Sequence, residues 1–496
     1  MARPPNQSPP PQVSGDRFHS IGCLAPHEYG SERERPTDFC HVRREGPRDT
    51  QRSDLRTYCR RKMSRSRGDS SSFTSALKNF FGNAIAPLAG LASAPILAHT
   101  LGAQGRGELA GATAPFLLLA TIAAVGIPDA VTYFVARQPG HKLSVTVRAI
   151  LLVGAAGLVA TIAAVVTAPL LAAGDEQLRS LIILASLGIL PTVVVGVLRA
   201  VAAGLGLWTL VAVERATGPL LRLALIAILA IAGELTVLAA TLCIAYSPIA
   251  AGLVYARLLK RTAQPAPSPP GLKAVAGYGA RAWLGSIAGV ILMRIDQVAM
   301  VPLSSAQELG LYVVAVTIAE LPLVVNTAIR EVVFAADAKK ASNADLSRAA
   351  RLSLLVCLCI GVTLGTTCFW WIPIAFGDDF GPAAPIAIML LAAVVAGIPG
   401  SVAGAGLSAR GHPQLRSYSL VVACVLNVAL VFFLVPPLGA MGAALATLVG
   451  NLVSSNINIL QLRARYGMSV SSFYVIRISD VVSLVRRVRR MMRGQK

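Results

Sequence analysis

A succession of about twelve long apolar stretches, from residue 73 to residue 462, constrains this chain more than any other feature. A helix needs about 20 mainly apolar residues to cross the ~30 Å hydrocarbon core of a bilayer. The stretches therefore predict transmembrane helices, and the chain is predicted to be an all-α integral membrane protein. The predicted spans are 74–100, 109–136, 145–172, 178–204, 208–231, 235–258, 274–302, 309–335, 347–374, 382–408, 415–436 and 439–462.

The composition agrees with this class and argues against nucleic acid as a partner. Of the 496 residues, 54% are hydrophobic and only 14% are charged, whereas soluble domains carry about 25% charged residues. The net charge of +21 is not gathered in a folded basic domain with interleaved aromatic residues. It is spread over the two tails and alternate short loops, which is how membrane proteins encode their orientation.

A proline-rich segment at 261–272, predicted to be a cytoplasmic linker, divides the spans into two halves. The N-lobe covers residues 73–260 and the C-lobe covers residues 273–462, with six predicted spans in each. Residues 1–72 have no apolar period and are expected to form a disordered cytoplasmic tail. Because Met63 stands directly before the first span, an extended gene model is one interpretation of the preceding residues, with Met63 as the start of the protein.

The distribution of lysine and arginine predicts the orientation. With the N-terminus in the cytoplasm, the outer loops carry only Arg106 and Arg179, and the inner loops carry the remaining loop charges. Positive loops stay in the cytoplasm, so both termini are predicted to be cytoplasmic in a multi-pass protein of the cell membrane. Within the basic tail at 463–496, apolar residues and arginines alternate at helical spacing, which predicts an amphipathic helix on the anionic cytoplasmic leaflet.

The two halves resemble each other in sequence. Residues 101–107 after the first span are similar to residues 303–310 after the seventh, and Gly174-Asp175 is matched by Gly377-Asp378. Because each half has an even number of spans, both halves have the same orientation and are related by an axis along the membrane normal. Two such pseudo-symmetric lobes around a central cleft are the geometry of alternating access.

Four short motifs carry a resemblance to a known family. They are Arg294-Ile295-Asp296-Gln297, Glu308-Leu309-Gly310-Leu311-Tyr312, Ala375-Phe376-Gly377-Asp378-Asp379-Phe380 and Gly439-Ala440-Met441-Gly442-Ala443-Ala444-Leu445-Ala446-Thr447. Over residues 73–462 the chain resembles bacterial polysaccharide-biosynthesis flippases of the Wzx type, in the multidrug/oligosaccharidyl-lipid/polysaccharide exporter superfamily. The resemblance implies a twelve-helix transporter, not an enzyme, which moves an isoprenoid-diphosphate-linked oligosaccharide from the inner to the outer leaflet. It implies membrane lipids as partners, with a polysaccharide polymerase or glycosyltransferases as further ones.

Ionisable residues at membrane depth are the candidates for the transport site, because each costs about 2.5–3.5 kcal/mol to insert. Arg294 and Glu320 are predicted to lie about 13 Å and 16 Å inside the outer boundary, on consecutive helices. We expect Arg294 to line the cleft and attract the diphosphate, with Glu320 as its partner in the empty state. The alternative is a permanent structural ion pair. Asp296 lies about 200° around the helix from Arg294 and is expected to face a different neighbour, with ion coupling as a further hypothesis.

Other polar residues extend this set. Asn83 in the first span and Arg281 in the seventh are further cleft candidates. Together with Arg281, three arginines at predicted span ends are candidates for a cationic cytoplasmic entrance, or else follow from the positive-inside bias: Arg199, Arg215 and Arg222.

Two other functions stay open at this point. An ion-coupled drug exporter of the same superfamily is less favoured, because the first span has no deep acidic residue. A membrane glycosyltransferase or polymerase needs catalytic acids or metal ligands on a sizeable outer loop, and the short outer loops offer only Asp378-Asp379. No Walker-type phosphate-binding motif is present, so ion or substrate gradients are expected to supply the energy and no cofactor is expected.

Overall fold

The computed structural model describes residues 49–124, 126–138, 140, 142–257, 272–475, 477 and 480, and omits the side chains of 49–84, 272, 274 and 278–286. The chain divides into two units, Met1–Arg67 and Gly68–Lys496. In the first unit the described part is helical from Asp49 onward. The predicted tail before residue 49, most of the linker and the C-terminal amphipathic helix lie outside the described residues.

The described residues are helical throughout and contain no strand, as predicted for an all-α protein. The helices are α1 (Asp49–Ala123), α2 (Ile127–Arg137), α3 (Lys142–Leu171), α4 (Glu176–Ser186), α5 (Ile189–Gly204), α6 (Trp208–Ile231), α7 (Val237–Gly252), α8 (Leu272–Leu303), α9 (Ala306–Ala319), α10 (Leu321–Lys339), α11 (Asn343–Phe376), α12 (Ala383–Ala409), α13 (Pro413–Tyr466) and α14 (Ser471–Tyr474). Short 3₁₀ turns follow at Leu253–Arg257 and Asp378–Phe380.

Seven of the described helices are long and apolar enough to cross a membrane, or eight if the bent pair α9–α10 is one span. Helix α13 has 54 residues, which at 1.5 Å per residue would extend about 81 Å, far more than one crossing. Its backbone leaves the helical conformation at Gly439 (φ 54°), and that of α1 does so at Gly102 (φ 63°). Each therefore comprises two helices joined at a glycine, while the count of twelve spans stays a prediction.

Several predicted single spans are broken in the structure. The span predicted at 309–335 bends by 42° between α9 and α10, because Pro322 has no backbone N–H and its ring disfavours a continuous helix. Glu320 stands at this bend and is not on a straight helix as expected. The span predicted at 109–136 is likewise interrupted, at Gly126 (φ 64°). Glu176–Gly204, by contrast, is long and apolar enough to count as one span, with α4 and α5 joined through helical backbone at Leu187 and Gly188.

Polar caps mark the loops at the two ends of the bundle. Asp175 accepts the N–H groups of Gln177 and Leu178, and Ser305 accepts that of Glu308. We name the end with the loops 172–175, 232–236 and 377–382 the outer end, and the end with 205–207, 340–342 and 410–412 the inner end, after the predicted orientation. Such caps satisfy N–H groups that have no partner within the helix.

The apolar core is shared at the outer end and divided at the inner end. One cluster joins residues of both lobes near the outer end, among them Leu178, Ile182, Tyr312 and Phe376. Toward the inner end one cluster is built mainly from α1–α5 and also includes Val275 near the start of α8, and a second cluster is built from α10–α14. The two predicted lobes therefore share a core at the outer end, while at the inner end α8 packs with α1–α5 and α10–α14 form a cluster of their own.

A glycine crossing closes the outer end. A Cβ added to Gly107 of α1 would lie 1.6 Å from the Ala306 carbonyl oxygen, and one added to Gly310 of α9 would lie 1.9 Å from that of Ala103. Both glycines belong to an Ala-Gln-x-x-Gly sequence that occurs once in each predicted lobe. The two copies contact each other reciprocally, as expected for halves related by a pseudo-two-fold axis, and only glycine allows so close an approach.

Candidate functional site

A cavity of about 1130 Å³ opens within the C-lobe, and all its described lining residues belong to α8–α13. At the inner end it is lined by Ser408, Pro413 and Arg416, and at the other end by Asp296 and Tyr312. Helix α9 begins at Ala306 at the outer end, and Tyr312 follows six residues later on the same helix. About 9 Å of packed protein therefore separates the cavity from the outer end. The cavity therefore reaches from the inner end past the middle of the bundle.

Arg294 and Glu320 both line this cavity, but they do not form an ion pair. Arg294 Nη1 instead donates to Gln297 Oε1 at 3.2 Å, one turn further along α8. The predicted place of Arg294 in a cleft between the two lobes stays a prediction, because the described lining of the cavity comes from the C-lobe helices alone. The Glu320 side chain is exposed to the cavity and accepts no hydrogen bond in the described part of the protein. The bend at Pro322 changes the course of the chain at Glu320, which straight-helix geometry could not show. The predicted pairing, whether transient or permanent, is therefore wrong for this conformation.

Asp296 is buried, with 5% of its surface exposed. Its carboxylate accepts hydrogen bonds from the Tyr312 hydroxyl and from the Gln297 N–H. The Tyr312 hydroxyl also lies 3.4 Å from Thr447 Oγ1 of α13. Asp296 thus faces a different neighbour from Arg294, as expected, and joins three helices at the closed end of the cavity.

Two cavity arginines were missed as site residues. Arg330 of α10 and Arg416 of α13 line the inner part of the cavity, and neither forms an ion pair with a described residue. Arg330 Nη1 lies 3.4 Å from Ser401 Oγ. The sequence signal was present, since Arg330 lies inside a predicted span. Arg416 lies in the first turn of α13, near a predicted inner loop, where a positive charge is also what the positive-inside bias predicts.

The predicted entrance residues of the N-lobe do not form one cluster of free cations. Arg199 makes a bidentate ion pair with the buried Glu214, with Nε–Oε2 and Nη2–Oε1 distances of 2.8 Å. Tyr255 donates a further hydrogen bond of 3.3 Å to Glu214. Arg199 is therefore a paired residue that links α5 to α6, and burial of Glu214 was not visible from the sequence.

Arg222 lies in the middle of α6 and not at a span end, so its assignment to the entrance is wrong. Its Nη2 lies 3.8 Å from the position of a Cβ at Gly90, which places the guanidinium between α1 and α6. Arg215 lies near the inner end of α6, one residue after Glu214, and stays an entrance candidate. The side chains of the cleft candidates Asn83 and Arg281 lie outside the described residues.

Comparison with known proteins agrees with this architecture. No curated protein matches the sequence significantly. Among solved structures, the lipid II flippase MurJ in an inward closed conformation superposes with a TM-score of 0.66 at 13% identity, over 83% of this chain and 92% of that one. An inward-facing multidrug-resistance MATE transporter of the MOP superfamily gives 0.61 at 17% identity, over 77% and 94%. A MOP-superfamily transporter from Pyrococcus furiosus gives 0.52 at 17% identity, over 82% and 96%.

These superpositions show that the chain has the fold of the MOP-superfamily transporters, as the resemblance in sequence implied. The family model described as polysaccharide biosynthesis protein matches residues 75–336, more than half of the chain. The match spans the predicted N-lobe and the helices that carry Arg294, Asp296 and Glu320. The chain therefore belongs to the polysaccharide biosynthesis protein family of multi-pass membrane proteins.

Proposed function

We propose that this protein is a flippase that moves an isoprenoid-diphosphate-linked oligosaccharide from the inner to the outer leaflet of the cytoplasmic membrane by alternating access. The observation that carries the proposal is Arg294, a half-buried arginine that forms no ion pair with a described residue and lines a cavity that reaches the inner end. A partly desolvated cation without an ion pair is costly. A diphosphate group that enters the cavity offsets this cost with charge-assisted hydrogen bonds.

The size and lining of the cavity support a large amphipathic substrate. Its volume of about 1130 Å³ exceeds the ~300–1,000 Å³ of ordinary small-molecule pockets. Ser401 and Asn451 add a hydroxyl and an amide group to its wall, and such groups suit sugar hydroxyls. The apolar isoprenoid chain needs no polar site, since it can stay in the bilayer while the head group crosses.

Alternating access requires the shared outer core to separate while the inner ends of the lobes approach. In this conformation α1 and α9 are in contact at the Gly107–Gly310 crossing, whereas α1–α5 and α10–α14 belong to separate clusters at the inner end. We infer that this is the conformation that receives substrate from the cytoplasmic leaflet. Release at the other leaflet then requires the glycine crossing to open.

An ion-coupled drug exporter is the second candidate. Glu320 favours it, because an exposed carboxylate in a partly apolar cavity suits a cationic drug. Three arginines in the same cavity, Arg294, Arg330 and Arg416, favour an anionic substrate instead. Drug export predicts that Glu320→Gln abolishes transport and Arg294→Gln does not, and the flippase predicts that Arg294→Gln abolishes it.

The test is transbilayer movement of an isoprenoid-diphosphate sugar in proteoliposomes that contain the purified protein. We expect Arg294→Ala to slow transport about 10- to 100-fold, because a hydrogen bond to a charged group contributes about 1.5–3 kcal/mol. Arg294→Lys is expected to retain part of the activity, since it keeps the charge but not the planar fork. Arg179→Ala is the matched control, because Arg179 lies at the outer end, outside the cavity, and pairs with Glu176 on the same helix. Unchanged transport in both Arg294 variants contradicts the proposal.

A further inference from the structure

The two arginines at the inner part of the cavity differ from three other arginines of the described protein, Arg199, Arg351 and Arg410, which are paired. Arg351 pairs with Asp480 and Arg410 pairs with Asp337, each at an Nε–Oδ2 distance of 2.7 Å. Arg199 pairs with Glu214 in the same bidentate manner. Burial of a charge is tolerated when a partner and hydrogen bonds compensate it. In these three cases the chain supplies a carboxylate.

Arg330 and Arg416 have no such compensation. Neither forms an ion pair within the described residues, and Arg330 Nε is fully enclosed without an acceptor. Glu331 follows Arg330 directly and its side chain is exposed; it forms no ion pair with Arg330, although its charge is close enough to act on the guanidinium. The only described polar contact of the Arg330 guanidinium is the 3.4 Å one to Ser401 Oγ.

The same face of α12 brings the two guanidinium groups together. Arg330 contacts Ser401, and the stem of Arg416 lies against Gly404, with Cδ 3.3 Å from the position of a Cβ there. Residues three apart on a helix share a face and differ in height by about 4.5 Å. The two positive charges are close enough to repel each other.

Ser401 is itself held in place by a buried network. Asn326 Nδ2 donates to Ser401 Oγ at 3.1 Å, and Ser353 Oγ donates to Asn326 Oδ1 at 3.1 Å. Hydroxyl and amide groups therefore position Arg330 without neutralising it. Two neighbouring guanidinium groups that have no paired carboxylate form an arrangement that suits the binding of an anion.

We propose that Arg330 and Arg416 form a phosphate-binding site at the inner part of the cavity, distinct from Arg294, where the diphosphate of the substrate docks first. Ten residues separate Glu320 from Arg330, so this site lies about 15 Å closer to the inner end than the level of Glu320. The identity of the natural ligand rests on the proposed function, but the anion site itself does not. Transport then proceeds by transfer of the diphosphate from this docking site to Arg294.

The test is binding of inorganic pyrophosphate to the full-length protein in detergent, measured by isothermal titration and by the rise in unfolding temperature. We expect the wild type to bind pyrophosphate, and Arg330→Gln or Arg416→Gln to weaken binding about 10- to 100-fold. Arg294→Gln is expected to retain pyrophosphate binding while transport is lost. Isoprenyl diphosphate and phosphatidylglycerol are the comparison ligands. Tighter binding of isoprenyl diphosphate identifies the substrate, and preference for phosphatidylglycerol overturns the docking role.

In the absence of ligand, a binding role and a structural role of these arginines predict different effects of their replacement on the unfolding temperature. If they bind an anion, removing one of two repelling, unpaired charges should leave the unfolding temperature of Arg330→Gln and Arg416→Gln equal to or above that of the wild type. Removing a structural arginine should lower it, as expected for Arg410→Gln. Wild-type pyrophosphate affinity in the double variant Arg330→Gln/Arg416→Gln overturns the site. Pyrophosphate binding without any transbilayer movement by the wild type would refute the proposed function and leave the site intact.

Discussion

Replacement of Gly107 by alanine should shift the protein toward its outward-open conformation. The added Cβ would lie 1.6 Å from the Ala306 carbonyl oxygen and 3.0 Å from the Gly310 backbone nitrogen. Ordinary van der Waals contact requires about 3.4 Å, so the two helices must separate by nearly 2 Å at this crossing. Close-packed interiors do not absorb such a displacement, and overpacking of this kind costs about 1–3 kcal/mol.

The cost applies only while the outer end is closed. A conformation in which α1 and α9 have moved apart accommodates the methyl group. The overpacking free energy therefore shifts the equilibrium from the closed to the open state of the outer end. A difference of about 1–3 kcal/mol changes that equilibrium about 5- to 150-fold. Gly310→Ala should act in the same direction, because its Cβ would lie 1.9 Å from the Ala103 carbonyl oxygen.

Spin labels at Gln104 and Gln307 provide the assay. Both residues are exposed. Gln104 follows Ala103, whose carbonyl oxygen contacts Gly310, and Gln307 follows Ala306, whose carbonyl oxygen contacts Gly107. Pulsed electron–electron double resonance should show a longer distance between the two labels in Gly107→Ala than in the parent protein. Transport by Gly107→Ala should also be slower. Gly154→Ala is the control, since its Cβ would meet no atom within 4 Å. An unchanged distance distribution and unchanged transport in Gly107→Ala would refute the crossing as the outer closure.

Three further predictions concern buried charges. Glu214→Gln should destabilise the protein by about 3–5 kcal/mol in chemical denaturation, because Arg199 loses its paired carboxylate. Recovery of stability in the double variant Glu214→Gln/Arg199→Met would support this cause. Full stability of Glu214→Gln alone would contradict it. The hydrogen bond from Arg351 lowers the pKa of Asp480 below its ordinary value of 3.8, so this contribution to stability is complete above pH 3.8 and declines as the pH falls through the lower folded pKa. Unfolding temperatures measured from pH 6 to pH 3 should therefore fall less steeply in Asp480→Asn, and identical slopes would exclude the contribution. Asp296→Asn should reduce transport while pyrophosphate binding persists, and normal transport rates in that variant would remove Asp296 from the transport cycle.

The sequence predicted the features that depend on local pattern. Twenty-residue apolar runs and the repeated segments at 101–107 and 303–310 depend on the chain near each residue. The apolar runs gave the all-α class and the positions of most loops. The mid-depth location of Arg294 also follows from counting residues along one helix, and the structure places it in the cavity.

Features that depend on contacts between distant segments were not predictable in this way. The bend before Pro322 changes the course of the chain at Glu320, and Glu320 forms no ion pair with Arg294, although both line the same cavity. Glu214 neutralises Arg199 because α5 and α6 pack with these two side chains facing each other, which charge counting along loops does not show. Arg330 and Arg416 contact the same face of α12, and only their tertiary arrangement distinguishes them from orientation signals.

The central claim is that the cavity carries a lipid-linked diphosphate sugar across the bilayer. The most direct measurement follows an isoprenoid-diphosphate sugar, placed in the inner leaflet of proteoliposomes, as it becomes accessible to a membrane-impermeant glycosidase outside. The account predicts that the wild-type protein raises the rate of exposure well above that of protein-free vesicles, and that the Arg294→Ala protein does not. Equal exposure rates with wild-type protein and without protein would contradict it.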